Sequence, residues 1–182
     1  MNNIASLTVY CGPMFAGKST ALLSAVAASP SGQCMLLKPE MDGRYGRDVI
    51  ATHDKHSMPA SPIRSMPAIP SHIRHVFLDE VQFMEDPWFD GVLTEDVAKL
   101  LLAGCHVHAA GLDMDAWGVP FQVTACLLAM ADNVVKLKAA CACGAPACLT
   151  MLKPAASSHN RILLGGSDVY EPACRTHWTL PT

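Results

Sequence analysis

Residues 12–19 read Gly12-Pro13-Met14-Phe15-Ala16-Gly17-Lys18-Ser19, with a β-prone run at 5–11 before them and a helix-like segment at 18–28 after them. The stretch fits G-x-x-x-x-G-K-[ST], in the strand–turn–helix setting that this phosphate-binding pattern requires. Backbone N–H groups of such a turn, and of the helix it opens, point into one concavity and hold phosphate oxygens. Gly12 and Gly17 permit the backbone geometry and close approach, Lys18 adds a positive charge, and Ser19 is placed to ligate a magnesium ion. With Pro13, Met14, Phe15, Ala16 and Thr20 they form the candidate nucleotide-binding set. By itself this site implies binding of a nucleotide such as ATP, and no particular reaction.

Working outward, short apolar runs at 34–37, 75–79, 105–110 and 133–137 read as strands. Segments 92–103 and 123–131 read as helices, and Gly104 is placed to stop the first of them. Strands alternating with helices of this length predict an α/β fold: a mostly parallel, P-loop NTPase-like sheet with helices on both faces. Residues 38–74 carry five prolines and no clear periodicity, so they read as a long, mobile loop with at most short structured pieces. From about residue 139 the pattern changes to cysteines, small residues and turns. The expected division is 1–139 for the ATP-binding domain and 140–182 for a small zinc-tied lid.

The predicted strand at 75–79 ends in Leu78-Asp79-Glu80-Val81-Gln82-Phe83. An acidic residue at the end of a neighbouring strand is the second half of a phosphate site of this kind. Asp79 is placed to reach a magnesium ion, and Glu80 to act as general base on an attacking hydroxyl.

Composition narrows the setting. The chain has 182 residues, 51% of them hydrophobic and 16% charged, which suits one substantial core with a small appendage and excludes a disordered chain. A formal net charge of −3 argues against a surface built for nucleic acid. No stretch approaches the ~18 to 20 apolar residues that span a bilayer, and the start of the chain lacks the basic region of a signal peptide. The expected location is therefore cytoplasmic. Of the eight cysteines, Cys11, Cys34, Cys105 and Cys126 lie among apolar residues and read as buried core thiols. Cys141, Cys143, Cys148 and Cys174 cluster late, and Cys174-Arg175-Thr176-His177 has the spacing of a zinc knuckle. Cys143 completes the set with either Cys141 or Cys148. Four protein ligands close a tetrahedral site, which makes the zinc structural rather than catalytic.

Taken together, these residues resemble the cytosolic-type, zinc-containing thymidine kinases. The resemblance runs from Gly12–Thr20 through Lys38-Pro39 with Asp42, Arg44 and Tyr45, then His53-Asp54 and Asp79-Glu80-x-Gln82-Phe83. It continues with Gly111-Leu112, Asp115, Gly118, Pro120-Phe121, Val135-Lys136-Leu137, Cys143-Gly144, Gly165-Gly166, Tyr170 and Cys174-x-x-His177. It implies ATP- and magnesium-dependent phosphorylation of the 5′-hydroxyl of thymidine or deoxyuridine, with Glu80 as base. Lys18 and Arg44 would stabilise phosphoryl charge, while Asp79 and Gln82 would serve the nucleotide. Met14, Phe83, Leu112, Ala116, Phe121, Leu163 and Tyr170 would enclose the base, and backbone groups from Arg161 to Gly165 would read its polar edge. The metal set implied is Cys141, Cys143, Cys174 and His177 for zinc, with Ser19 and Asp79 for magnesium. A homotetramer inhibited by the end-product triphosphate is a further expectation.

The chain departs from the family at three places: Val81 where Gly or Ala is usual, Ala116-Trp117 where a Phe stands beside the base, and Cys141-Ala142-Cys143 where the pair is C-x-x-C. Two alternatives follow. One is a kinase for another deoxypyrimidine nucleoside, with a bulkier 5-substituent. The other is a non-catalytic nucleotide-binding protein whose zinc module holds a protein partner.

Overall fold

The computed structural model describes residues 4–43, 46–51, 56–154 and 163–181. Strand β1 (Leu7–Gly12) enters the phosphate loop and helix α1 (Lys18–Ala28) leaves it. Next come β2 (Cys34–Pro39) and three short strands, β3 (Val49–Ala51), β4 (Ser57–Pro59) and β5 (Ser61–Ile63). Strand β6 (His75–Leu78) runs into a 3₁₀ turn at Val81–Phe83, followed by α2 (Leu93–Leu102) and β7 (His106–Leu112). Helix α3 (Gln122–Met130) and β8 (Asn133–Lys136) complete the larger part. The remainder holds β9 (Ala139–Ala140), β10 (Pro146–Ala147), β11 (Leu149–Leu152) and β12 (Tyr170–Ala173).

Six strands form the main sheet in the order β5-β2-β6-β7-β1-β8, and each of its pairings is parallel. The C-terminal ends of β1, β2, β6 and β7 therefore share one edge, the place where open parallel sheets bind ligands. Beyond residue 139, β9 pairs with β10 and β11 with β12, both antiparallel.

The stretch read as a long loop with at most short structured pieces holds, among the described residues, three strands of three residues each: β3 pairs with β4 antiparallel, and β5 extends the main sheet beside β2. Ser61-Pro62-Ile63 has no apolar run to announce it. Pro62 lacks an N–H for the ladder, and it is accommodated because β5 is the outermost strand.

Alternation along the strands sorts the core into two layers. Val9, Cys11, Val76, Leu78, Val107 and Ala109 face α2 and α3 through Leu93, Val97, Leu100, Val123 and Leu127. The intervening residues Tyr10, Phe77 and Ala110 face α1 at Leu22, Ala25 and Val26. Leu7, Leu22, Leu37, Leu78 and Leu127 have no exposed surface, and burying one such side chain stabilises by about 1.5–3 kcal/mol. Of the four cysteines expected in the core, Cys11 and Cys105 are buried, while Cys34 and Cys126 are only half-buried at its margin. No helix among the described residues is long and apolar enough to cross a membrane.

The α1 face also carries a row of aromatic rings. Parallel register sets His75 opposite His106 and Phe77 opposite His108, so the rings stack, with centroids 5.0 Å and 4.6 Å apart respectively. Ser6 Oγ meets His106 Nδ1 at 3.0 Å, whereas Nδ1 of His75 and of His108 is buried with no hydrogen-bond partner among the described residues. Burial first, then the neighbouring His75 and His106, brings the His108 pKa down to about 4. Burial and His106 lower His75 in the same direction.

The folded state thus favours neutral imidazole. Below the ordinary histidine pKa of about 6.5 the unfolded chain takes up protons that the folded chain refuses. Stability contributed by the stack is fully present above that pH and is lost as pH falls towards 4. In urea denaturation at pH 7 and pH 5, His108→Phe should lose markedly less stability on acidification than the wild type. Equal losses would show that the stack does not titrate in this way.

Candidate active site and metal centre

The phosphate loop begins where β1 ends, at Gly12 with φ 140°. A Cβ there would fall on the Leu137 carbonyl oxygen, so only glycine fits. Lys18 is buried and its Nζ donates to the Pro13 carbonyl at 2.7 Å. Ser19 Oγ lies between the two carboxylate oxygens of Asp79, at 3.1 and 3.0 Å. Met14, Phe15, Gly17, Lys18, Ser19 and Thr20 line a cleft whose other wall includes Lys38, Asp42, Asp79 and Glu80. Gly12, Pro13 and Ala16 belong to the same loop and do not line the cleft.

Asp79 follows β6 directly, and its N–H donates to the Leu37 carbonyl at 3.0 Å. Burial, then the adjacent Glu80 carboxylate, pushes the Asp79 pKa up to about 7, while the Ser19 hydroxyl pulls it down. The cleft therefore holds crowded acidic groups that a cation would offset, and the Ser19–Asp79 pair fits a magnesium ion.

Glu80 is left-handed, with φ 52°, which turns the chain sharply after the strand. Its carboxylate Oε2 accepts the side-chain N–H of Gln82. Gln82 is wholly buried, and its Oε1 accepts the Leu112 N–H at 2.9 Å. Gln82, expected at the nucleotide, thus stands between Glu80 and the end of β7. Val81, where Gly or Ala is usual in the family, is accommodated by Gly111: a Cβ there would lie 2.6 Å from Val81 Cγ2 and 2.8 Å from Gln82 Oε1.

Lys38 is a residue whose role sequence reasoning left unassigned. It is 1% exposed; its Nζ sits 3.3 Å from Asp42 Oδ2 and donates to the carbonyls of Gly46 and Val49. It pins the segment after β2 over the cleft. The Lys38-x-x-x-Asp42 spacing was the available signal. Arg44, Tyr45, His53 and Asp54 lie outside the described residues, as does Arg161.

A second cleft shares Met14 and Leu112 with the first. The expected base-pocket residues Met14, Phe83, Leu112, Ala116, Phe121, Leu163, Gly165 and Tyr170 all line it. Gln82, Met114, Asp115, Thr150 and Leu164 line it too, and nothing in the local sequence around Thr150 marks it. Tyr170 Oη donates to the Leu163 carbonyl at 2.9 Å, holding that segment against the cleft. Asp115 Oδ1 accepts the N–H groups of Trp117 at 2.9 Å and Val119 at 2.8 Å, which shapes the turn carrying Ala116. Ala116 is buried, and neither Trp117 nor Val81 lines the space beside it.

Further along, one ligand atom each from Cys141, Cys143, Cys174 and His177 lies within 4.8 Å of all the others. Cys174 Sγ is 3.3 Å and Cys141 Sγ 3.7 Å from His177 Nδ1, and Cys143 Sγ is 3.9 Å from Cys174 Sγ. Tetrahedral zinc with ordinary Zn–S and Zn–N bonds has ligand–ligand edges of about 3.5–3.8 Å, so the set fits. Backbone N–H groups of Cys143 and Cys174 bring the Cys141 pKa down to about 6. The His177 N–H lowers Cys174 likewise, which favours the thiolates that bind metal. Cys148, the alternative partner, is not part of this cluster.

A model of the family described as thymidine kinase matches residues 5–178. The chain belongs to the thymidine kinase family. It is accordingly an ATP- and magnesium-dependent phosphotransferase acting on thymidine-like deoxynucleosides, with a P-loop α/β fold and a small zinc-binding lid. Family membership decides for an enzyme over the non-catalytic, partner-binding alternative. The zinc chemistry of this thymidine kinase family member is that of a brace, since all four positions are filled by protein.

Elemental analysis of protein purified without a metal-binding tag should give one zinc per chain. Cys141→Ser should lose it and Cys148→Ser should keep it; the reverse pattern would move the site to Cys148.

Proposed function

We propose that Glu80 is the general base of the transfer and that the second cleft holds the deoxynucleoside. The observation that carries this reading is the shared wall. Met14 and Leu112 line both clefts, so a nucleoside in one presents its sugar to phosphates in the other beside Glu80. The 5′-hydroxyl oxygen attacks the γ-phosphorus, its proton passes to Glu80, and the bond to the departing ADP oxygen breaks. Lys18, and Arg44 from outside the described residues, offset phosphoryl charge; bound magnesium, held by Ser19 and Asp79, adds to that neutralisation. Gln82 fixes the Glu80 carboxylate, and residues 140–182 act as the lid over the base.

Substrate choice turns on Ala116. Where the family carries Phe, this chain has Ala116, which lines the second cleft together with Phe121 and the lid residues Leu163, Leu164 and Gly165. Trp117 and Val81 do not line that cleft, so either the lid or the ligand fills the place of the Phe ring, and we favour a base with a larger 5-substituent than the thymine methyl. The family resemblance also supports a homotetramer, a reading consistent with the exposed edge strand β8, whose Val134 and Val135 are 50% and 37% accessible. It equally supports a cytoplasmic location and feedback by the end-product triphosphate.

Losing a general base typically costs ~10² to 10⁴ in rate. Glu80→Gln should lower kcat by that order while calorimetry still shows ADP binding; an unchanged kcat would place the base elsewhere. For substrate choice, kcat/KM should be compared for thymidine and a bulkier 5-substituted deoxyuridine. Ala116→Phe should shift their ratio towards thymidine by about tenfold or more, since one to three kcal/mol is typical of such pocket changes. An unmoved ratio would take Ala116 out of the base pocket.

A further inference from the structure

Trp178 follows the last zinc ligand directly, and neither cleft uses it. Its backbone N–H donates to the Cys174 carbonyl at 2.9 Å, closing the turn that presents Cys174 and His177. Its indole Nε1–H donates to the Thr150 carbonyl at 3.1 Å. Pro172, opposite Thr150 in the β11–β12 ladder, has no N–H to compete for that oxygen.

Thr150 passes the contact on. It is buried, and its Oγ1 accepts the Met14 N–H at 3.0 Å. That N–H belongs to the same peptide unit as the Pro13 carbonyl, which accepts Lys18 Nζ at 2.7 Å. In a trans peptide the N–H and C=O point in opposite directions from one rigid plane. Holding the N–H from the lid side therefore aims the carbonyl at Lys18. The indole also abuts the turn that bears Ala116, since a Cβ at Gly118 would lie 3.3 Å from Trp178 Cη2.

We propose that Trp178 is a positioning residue, the link by which the Cys/His knuckle orients the Pro13–Met14 peptide and thereby Lys18 in the phosphate loop. This inference rests on the reading that loop 12–19 holds the nucleotide. The aromatic ring supplies a stiff spacer, and its single N–H supplies direction. Zinc binding and nucleotide affinity are then connected through four named groups rather than through the fold at large.

The test measures ADP affinity by calorimetry with magnesium, alongside zinc content, in the full chain. Trp178→Phe keeps an aromatic ring but removes the N–H donor together with the part of the indole that abuts Gly118, so Thr150→Val checks the hydrogen-bonded path separately. Trp178→Phe should retain one zinc per chain and weaken ADP binding about three- to tenfold, the range one hydrogen bond gives. Thr150→Val should weaken ADP binding similarly, and Thr150→Ser, which keeps the hydroxyl, should restore most of it. The double variant Trp178→Phe/Thr150→Val should be no weaker than Thr150→Val alone, because both act on one peptide.

Unchanged ADP affinity in zinc-replete Trp178→Phe, or additive losses in the double variant, would overturn the link. If Trp178→Phe sheds zinc, Thr150→Val decides instead: it leaves the knuckle untouched, and normal ADP affinity there overturns the proposal. A wild-type protein that binds no ADP would overturn the loop assignment itself, a distinguishable failure.

Discussion

The hydroxyl of Ser19 resting on the carboxylate of Asp79 joins two parts of the molecule that the sheet keeps apart. Ser19 opens α1 after β1, and Asp79 ends β6, with β7 lying between those strands. The contact spans β7 at its C-terminal end, where the chain after Asp79 must also turn. That turn is possible because Glu80 adopts a left-handed backbone and Gly111 of β7 has no side chain in the way. Asp79, Glu80 and the Gln82 amide that holds the Glu80 carboxylate are therefore delivered by four consecutive positions, 79 to 82, folded over one glycine. A buried carboxyl in such a place is costly without a partner, and the hydroxyl is the partner the protein itself provides.

Much of this was readable beforehand, for definite reasons. Gly12 to Ser19 combine a spacing with a chemistry, so the motif located both a strand end and a helix start. Asp79 and Glu80 were readable because an apolar run, His75 to Leu78, stops at them. What escaped had no local signature. Ser61-Pro62-Ile63 forms a strand because an outermost position was open beside β2, which no window of a few residues reveals. Lys38 fell in the stretch read as loop, yet it is buried beside a carboxylate and two carbonyls contributed by residues 42, 46 and 49. Thr150 reaches the site only through the β11–β12 pairing. Gln82 was legible as a site residue, but its contact with the Leu112 N–H was not, because that partner lies 30 residues away on β7.

The shortened cysteine pair shows how spacing can mislead while chemistry holds. Cys141-Ala142-Cys143 departs from the usual interval, and the longer Cys143–Cys148 interval looked as suitable. The cluster nevertheless includes Cys141: β9 and β10 pair on either side of the 141–145 turn, and Cys141 lies with Cys143, Cys174 and His177. The fold around that turn, not the count of intervening residues, brings the four ligand atoms together.

Gly111 and Val81 carry a final consequence. A side chain at one position occupies the space that a side chain at the other would need, so the two sites form a single steric unit shared by two strands. Even glycine at 81 would not free position 111, because the Gln82 side-chain oxygen, at 2.8 Å, and the backbone nitrogen of residue 81, at 3.3 Å, would still crowd a Cβ there. Drift at 111 is therefore tied to the whole turn after β6 and not to one neighbouring side chain.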